Sequence, residues 1–193
     1  MRGRAYRFLR HLPDRVLHAR RRAAATALLR RSDVTSILFI CHGNVCRSPY
    51  AAAAFARALD RQAGSVQVAS AGFIGPGRTP PETALGAAER RGLDLSNHRS
   101  RLVTREIVRA ASVVVVMAAD QAAGIRARYG RGVRVLLLGD LDPLPIATRT
   151  VTDPWGRSPD VFDRVFDRID RCVGELVRLV TSGAKATTGS ASK

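Results

Sequence analysis

Short apolar runs punctuate the chain at regular intervals. Ile37 to Ile40, Val66-Gln-Val-Ala-Ser70, Ser112-Val-Val-Val-Val-Met117 and Val133-Arg-Val-Leu-Leu-Leu138 each have the length and composition of a strand. They barely alternate with polar residues, as expected of parallel strands covered on both faces. The segments between them read as helices. Pro49 suits a first turn, and Ala51 to Leu59 continues it. Glu82 to Arg91 ends at Gly92, a residue that closes helices in the left-handed conformation. Thr104 opens a short helix, and Gln121 to Tyr129 forms another. Ser158-Pro159-Asp160 has the cap, proline and acid of a helix start. Behind it, Val161, Phe162, Val165, Phe166, Ile169, Val173, Leu176, Val177 and Val180 form one apolar stripe, with Cys172 beside it as a structural thiol. Asp160 with Arg164 and Asp167 with Arg171 are spaced to pair on the wet face.

Strands alternating with helices predict an α/β fold: a four-stranded parallel sheet with helices on both faces. The loop after the first strand then lies at the carboxyl edge of the sheet, where such folds bind ligands. Residues 34–182 make up this domain. Residues 183–193 are small and polar, and disorder is expected there. Residues 1–33 are dense in arginine, with Leu9, Leu12, Val16 and Leu17 at helical spacing. They form a basic extension, expected to be loosely ordered and outside the catalytic pattern. Its alternative use is contact with an anionic membrane or an acidic partner.

The net charge of +16 is large, and nearly all of it is Arg. An aromatic content of 5 % and the absence of a nucleic-acid motif argue against nucleic acid as partner. Three cysteines, an odd number, argue against a disulfide framework and suit a cytoplasmic protein. No apolar stretch approaches the ~20 residues of a membrane span. No metal-ligand cluster is visible, and no cofactor is expected.

The chemistry concentrates in Cys41-His-Gly-Asn-Val-Cys-Arg-Ser48, between the first strand and its helix. The loop amides and the helix N-terminus make a seat for an anion. His42, Gly43, Asn44, Val45, Cys46 and Ser48 would line it. Cys41 stands at its head, where a thiolate is stabilised. Arg47 can fork two anion oxygens. Gly43 and Asn44 tolerate the positive φ that an inward-curling loop needs. Ser48 can donate a hydrogen bond to the sulfur.

This stretch resembles the low-molecular-weight protein tyrosine phosphatases, which share their fold with one class of arsenate reductases. The resemblance implies that Cys41 is the nucleophile and Arg47 the phosphate-binding residue. It extends to Ser70-Ala-Gly72, where the serine supports the loop, and to His98, implied to bond Asn44. It also covers Val151-Thr-Asp-Pro-Trp155, where Asp153 would be the general acid and Trp155 would flank the cleft. The loop Phe73 to Pro81 would wall that cleft, with Phe73 and Ile74 as its bulky residues. Asp142, upstream in the long segment Gly139 to Ser158, is the alternative acid. The family's Met-Asp-x-x-Asn stretch is replaced here by Met117-Ala-Ala-Asp120-Gln121, so no site residue is carried over from it.

The implied reaction is hydrolysis of a phosphate monoester, notably phosphotyrosine, through a phosphocysteine intermediate. Two other readings compete. An arsenate reductase would relay oxidation through further cysteines, but none lies between Cys46 and Cys172. A phosphoprotein-binding module would need neither a nucleophile nor an acid.

Overall fold

The computed structural model describes residues 2–30, 33–61 and 65–188, with side chains for 14–30, 33–61 and 65–182. In chain order the elements are α1 (Arg2–Arg30), β1 (Ser36–Cys41), α2 (Arg47–Asp60), β2 (Gln67–Gly72), α3 (Glu82–Glu89) and α4 (Arg105–Ala110). There follow β3 (Val113–Val116), α5 (Ala119–Tyr129), β4 (Val135–Leu137), a 3-10 turn (Leu138–Leu141) and α6 (Pro159–Thr188). The four strands pair in parallel in the order β2-β1-β3-β4. The order therefore reverses between β1 and β3, and a crevice opens at their carboxyl ends.

The strand period of two divides the apolar residues between two cores. Ile37, Phe39, Val113, Val115 and Leu136 face one side, packed with α2, α3, α6 and the end of α1. Leu38, Ile40, Val114, Val116, Val135 and Leu137 face the other, packed with Val108 of α4 and Ala122 and Ile125 of α5. This two-sided burial explains why the strands lack polar alternation.

Helix α6 buries its expected stripe, with Phe162, Phe166, Ile169 and Leu176 fully enclosed. Tyr50 of α2 stacks on Phe166 with ring centroids 3.7 Å apart, and its hydroxyl donates to Asp170 at 2.8 Å. Removing the Phe166 ring would cost about 3–5 kcal/mol by the usual cavity relation. Cys172 lies in the same core, where burial pushes its thiol up to about 12. The Asp160–Arg164 pair forms. The Asp167–Arg171 pair does not: Asp167 is taken by Arg91, and the Arg171 guanidinium turns to the buried Asp142. A carboxylate buried in a low dielectric attracts a guanidinium more strongly than an exposed one does.

The two ends differ from expectation. Helix α6 runs on to Thr188, past the start of the segment expected to be disordered, while 189–193 lie outside the described residues. The 1–33 extension is not loosely ordered where it is described. It forms α1, whose Ala25 and Leu29 are buried in the main core and whose Arg22 pairs with Glu175 of α6 at 2.7 Å. Small and aliphatic residues one turn apart give α1 a stripe narrow enough to pack on α6, despite its overall charge. The side chains of Leu9 and Leu12 lie outside the described residues.

Candidate active site

Cys41 is the last residue of β1, and Arg47 is the first of α2. The loop between them folds around its own asparagine. Asn44 is fully buried with φ 52°, a conformation asparagine tolerates better than most residues. Its Nδ2 donates to Ser48 Oγ and to Ser70 Oγ, both at 2.9 Å, and its Oδ1 accepts from the N–H of Arg101 at 2.9 Å. His98 Nε2 bonds the Asn44 carbonyl at 2.8 Å. A carbonyl only accepts, so this bond needs the Nε2–H tautomer. Burial pushes the His98 pKa down; the Asn44 bond opposes this, and Arg101 and Arg99 reinforce it. Gly72 closes the support from below. A Cβ there would sit 2.8 Å from the Asn44 nitrogen and 2.9 Å from the His42 oxygen, both fixed backbone atoms.

The Cys41 sulfur receives two donors. The Asn44 N–H reaches Sγ at 3.2 Å and the Ser48 hydroxyl at 3.1 Å. Ser48 oxygen accepts from Asn44, which frees its single proton for the sulfur. Donors converging in this way solvate a thiolate. Cys46 is built differently. Burial first, then the neighbouring Cys41 and Asp153, push its thiol up to about 12. It stays neutral beside the reactive position.

Above the sulfur lies a cleft of about 280 Å³, lined by Cys41, His42, Gly43, Val45, Cys46, Arg47, Ile74, Arg78, Asp153 and Trp155. Arg47 is buried, while Asp153 is half exposed at the mouth. The Arg47 guanidinium pairs with the Asp153 carboxylate, and its Nη1 donates to the Val151 carbonyl at 3.0 Å. Arg47 Nε is buried and has no hydrogen-bond partner among the described residues. Trp155 is 55 % exposed and stands on the rim. Its backbone N–H donates to Asp153 Oδ1 at 3.3 Å.

The residues expected from the sequence thus converge, with Ser70 and His98 beneath the loop and Trp155 at its rim. Phe73 packs instead in the second core, so of the two expected residues Ile74 is the one that lines the cleft. Asp142 is not a spare acid. It is 1 % exposed and held by Arg168 at 3.1 Å and Arg171 at 3.3 Å. Gln121, where the family stretch departs, accepts the Met117 N–H at 3.0 Å and caps β3.

One cleft residue was not anticipated. Arg78 donates to the Gly43 carbonyl at 3.0 Å, and its guanidinium lies 5.7 Å from the Trp155 ring centre. Its position after Gly75-Pro76-Gly77 was legible only as loop. The close approach to Gly43, which has no side chain to exclude it, is a tertiary fact.

A parallel α/β sheet with a cysteine at the head of the β1–α2 loop, a buried arginine at its end and a carboxylate across the cleft defines a cysteine-dependent phosphatase class. Residues 36–186 match the low molecular weight phosphotyrosine protein phosphatase family, and the chain belongs to it. It is 31 % identical over 146 residues to the low molecular weight protein-tyrosine-phosphatase Etp of Escherichia coli (strain K12), covering 74 % of this chain and 93 % of Etp. It is 30 % identical over 143 residues to the protein-arginine-phosphatase of Bacillus subtilis, covering 74 % and 94 %. Among solved structures, the tyrosine phosphatase Wzb from Escherichia coli K30 in complex with sulphate superposes with a TM-score of 0.67. It is 28 % identical, covering 75 % of this chain and 97 % of that one.

Proposed function

We propose that this protein hydrolyses phosphotyrosine in proteins, in two displacements through a phosphocysteine on Cys41. The observation that carries the reading is the Cys41 sulfur, held by the Asn44 N–H and the Ser48 hydroxyl beneath Arg47 and Asp153. The thiolate attacks phosphorus in line. Arg47 and the amides of the 42–48 loop hold the equatorial oxygens as charge redistributes. The unpartnered Arg47 Nε supports this role, since a guanidinium presents a fork of donors. Asp153, protonated, gives its proton to the leaving oxygen. The carboxylate then takes a proton from the water that attacks phosphocysteine, and phosphate leaves. His98, Asn44 and Ser70 keep the loop in shape.

Ile74, Val45 and Trp155 offer apolar and aromatic walls to the ring of phosphotyrosine. The similarity to a protein-arginine-phosphatase favours phosphoarginine as the second reading. Against it stands Arg78, whose charge would face the guanidinium of such a substrate. The finer reading adds that the protein acts in the cytoplasm, and that α1 meets an anionic membrane or an acidic partner. Val16, 70 % exposed, and the exposed Arg20 on α1 support that contact. No helix among the described residues is long and apolar enough to cross a membrane.

The test is a panel of peptides that differ only in phosphotyrosine, phosphoserine or phosphoarginine, with Cys41→Ser as control. Hydrolysis of phosphotyrosine well above the other two, lost in Cys41→Ser, is the expected result. A preference for phosphoarginine would exchange the two readings. Hydrolysis that survives Cys41→Ser would remove both. For α1, salt-dependent co-sedimentation with anionic vesicles is expected, and its absence would end the membrane reading.

A further inference from the structure

Helix α1 precedes the residues that match the family, which begin at 36. It nevertheless holds the segment that carries Asp153 at two points. Asp14 Oδ2 accepts the backbone N–H of Arg149 at 3.1 Å. His18 Nε2 bonds the carbonyl of Asp142 at 2.9 Å, in the Nε2–H tautomer because a carbonyl only accepts. Asp14 and His18 stand one helical turn apart and so share a face. The buried Ala25 and Leu29 fix that helix on the core. Asp14 is itself anchored by Arg21 at 2.6 Å. Burial pushes its pKa up, but the Arg149 N–H and Arg21 outweigh this and hold it below the usual value.

The contact at Arg149 bears on the acid because the stretch from Thr148 to Val151 that leads to Asp153 is held by hydrogen bonds, and Asp142 joins that stretch through Arg168, which bonds both. Val151 is hydrogen-bonded in both directions, from its N–H to the Met117 carbonyl at 2.9 Å and from Arg47 to its own carbonyl at 3.0 Å. The Arg168 guanidinium of α6 holds the carbonyls of Thr148 and Thr150 at 2.7 and 2.8 Å. Arg149 lies between those two residues, and its N–H faces α1. The Arg149 N–H is thus the point at which α1 adds its own hold to the stretch that leads to Asp153. Catalytic geometry is sensitive to displacements of about 1 Å.

We infer that α1 is a strut of the acid segment, and that Asp14 and His18 are positioning residues for Asp153. The inference rests on the phosphatase reading above. Its signature is dependence on the leaving group. Phosphotyrosine needs a proton as its bond to phosphorus breaks, and an activated dinitrophenyl phosphate needs one far less.

The experiment uses the full chain and compares kcat/KM for a phosphotyrosine peptide and dinitrophenyl phosphate. Asp14→Ala with His18→Ala should lower phosphotyrosine hydrolysis about 3- to 10-fold, the scale of one or two net hydrogen bonds. Hydrolysis of the activated ester should change by less than about twofold, since attack by Cys41 is untouched. Asp14→Asn with His18→Gln keeps an acceptor for Arg149 and a donor for Asp142, and should restore the wild-type ratio. Equal loss on both esters, or an unchanged ratio in the alanine variant, would overturn the strut. If wild-type protein cleaves neither ester, the phosphatase reading itself fails and the strut goes with it, so the two failures are distinct.

Discussion

The two segments that make the cleft are fastened differently at the group each presents. The loop from Cys41 to Ser48 is tied from within. Asn44 bonds Ser48, and both bond the Cys41 sulfur, so the two donors to that sulfur lie inside eight consecutive residues, while Ser70, His98, Arg101 and Arg78 brace the loop from outside. The segment from Gly139 to Ser158 has internal ties as well, the Arg149–Asp140 ion pair and the backbone N–H of Trp155 to Asp153 among them. It is also pinned from α6 by Arg168 and Arg171, from just after β3 by the Met117 carbonyl, from α2 by Arg47 and from α1 by Asp14 and His18. Gly139 lacks a side chain where the Arg149 carbonyl passes, which lets the segment fold back on itself. The sulfur of the proposed nucleophile is therefore held by its own loop, and the segment of the proposed acid is held from α1, α2 and α6. Arg47 belongs to both, since it lies in the phosphate loop and bonds Val151 and Asp153.

This contrast can be broken from either side. The largest effect is expected from Cys41→Ser, which should lower turnover on the order of 10⁴-fold or more while inorganic phosphate still binds, read by titration. Substantial residual turnover would remove Cys41 as nucleophile. Next is Asp153→Asn. It should slow phosphotyrosine hydrolysis by about 10²- to 10³-fold, slow a dinitrophenyl ester less, and flatten the basic limb of the pH–rate profile. Equal slowing of both esters would mean that another group is the acid.

Arg47→Lys should cost on the order of 10²-fold in kcat/KM, because a point charge cannot fork two oxygens or hold both segments. Near wild-type kinetics would sink the bidentate role. Arg168→Met addresses the outer fastening alone. It leaves the buried Asp142 with Arg171 as its remaining partner and frees two carbonyls of the acid segment. A loss of about 3 kcal/mol in urea unfolding is expected, within the range for breaking a buried pair. If stability holds, the segment is carried by its other anchors.

The smallest effect concerns His98. Its pKa in the folded protein lies below the ordinary histidine value of about 6.5. Protonation therefore favours the unfolded chain. The contribution of neutral His98 is fully present above about pH 6.5 and is lost as pH falls through the lowered value. His98→Asn should flatten the acid side of the stability–pH curve over that interval. A curve unchanged in shape would assign the acid sensitivity to other groups.

The sequence reached Cys41, Arg47, Ser48, Asn44, Ser70, His98, Asp153 and Trp155, and the structure brings all of them to one cleft or its support. It did not reach Arg78, because nothing in Gly75-Pro76-Gly77-Arg78 tells which way a loop turns. It also read Asp167 and Arg171 as a surface pair from spacing alone. Spacing cannot register that a buried carboxylate nearby competes for the guanidinium.

What the sequence determined by itself was everything with a short range. Strand runs, helix starts and stops, and the hydrogen bonds inside the Cys41–Ser48 loop follow from dihedral preference, periodicity and contacts between near neighbours in the chain. Only the tertiary structure decided the rest. It docked α1 on α6, turned Asp142 from a candidate acid into a buried anchor, and brought together Asp14 and Arg149, which are 135 residues apart in the chain. The reason is that burial and long-range ion pairing depend on which surfaces meet. That is settled by the packing of all elements at once, and no single stretch of sequence encodes it.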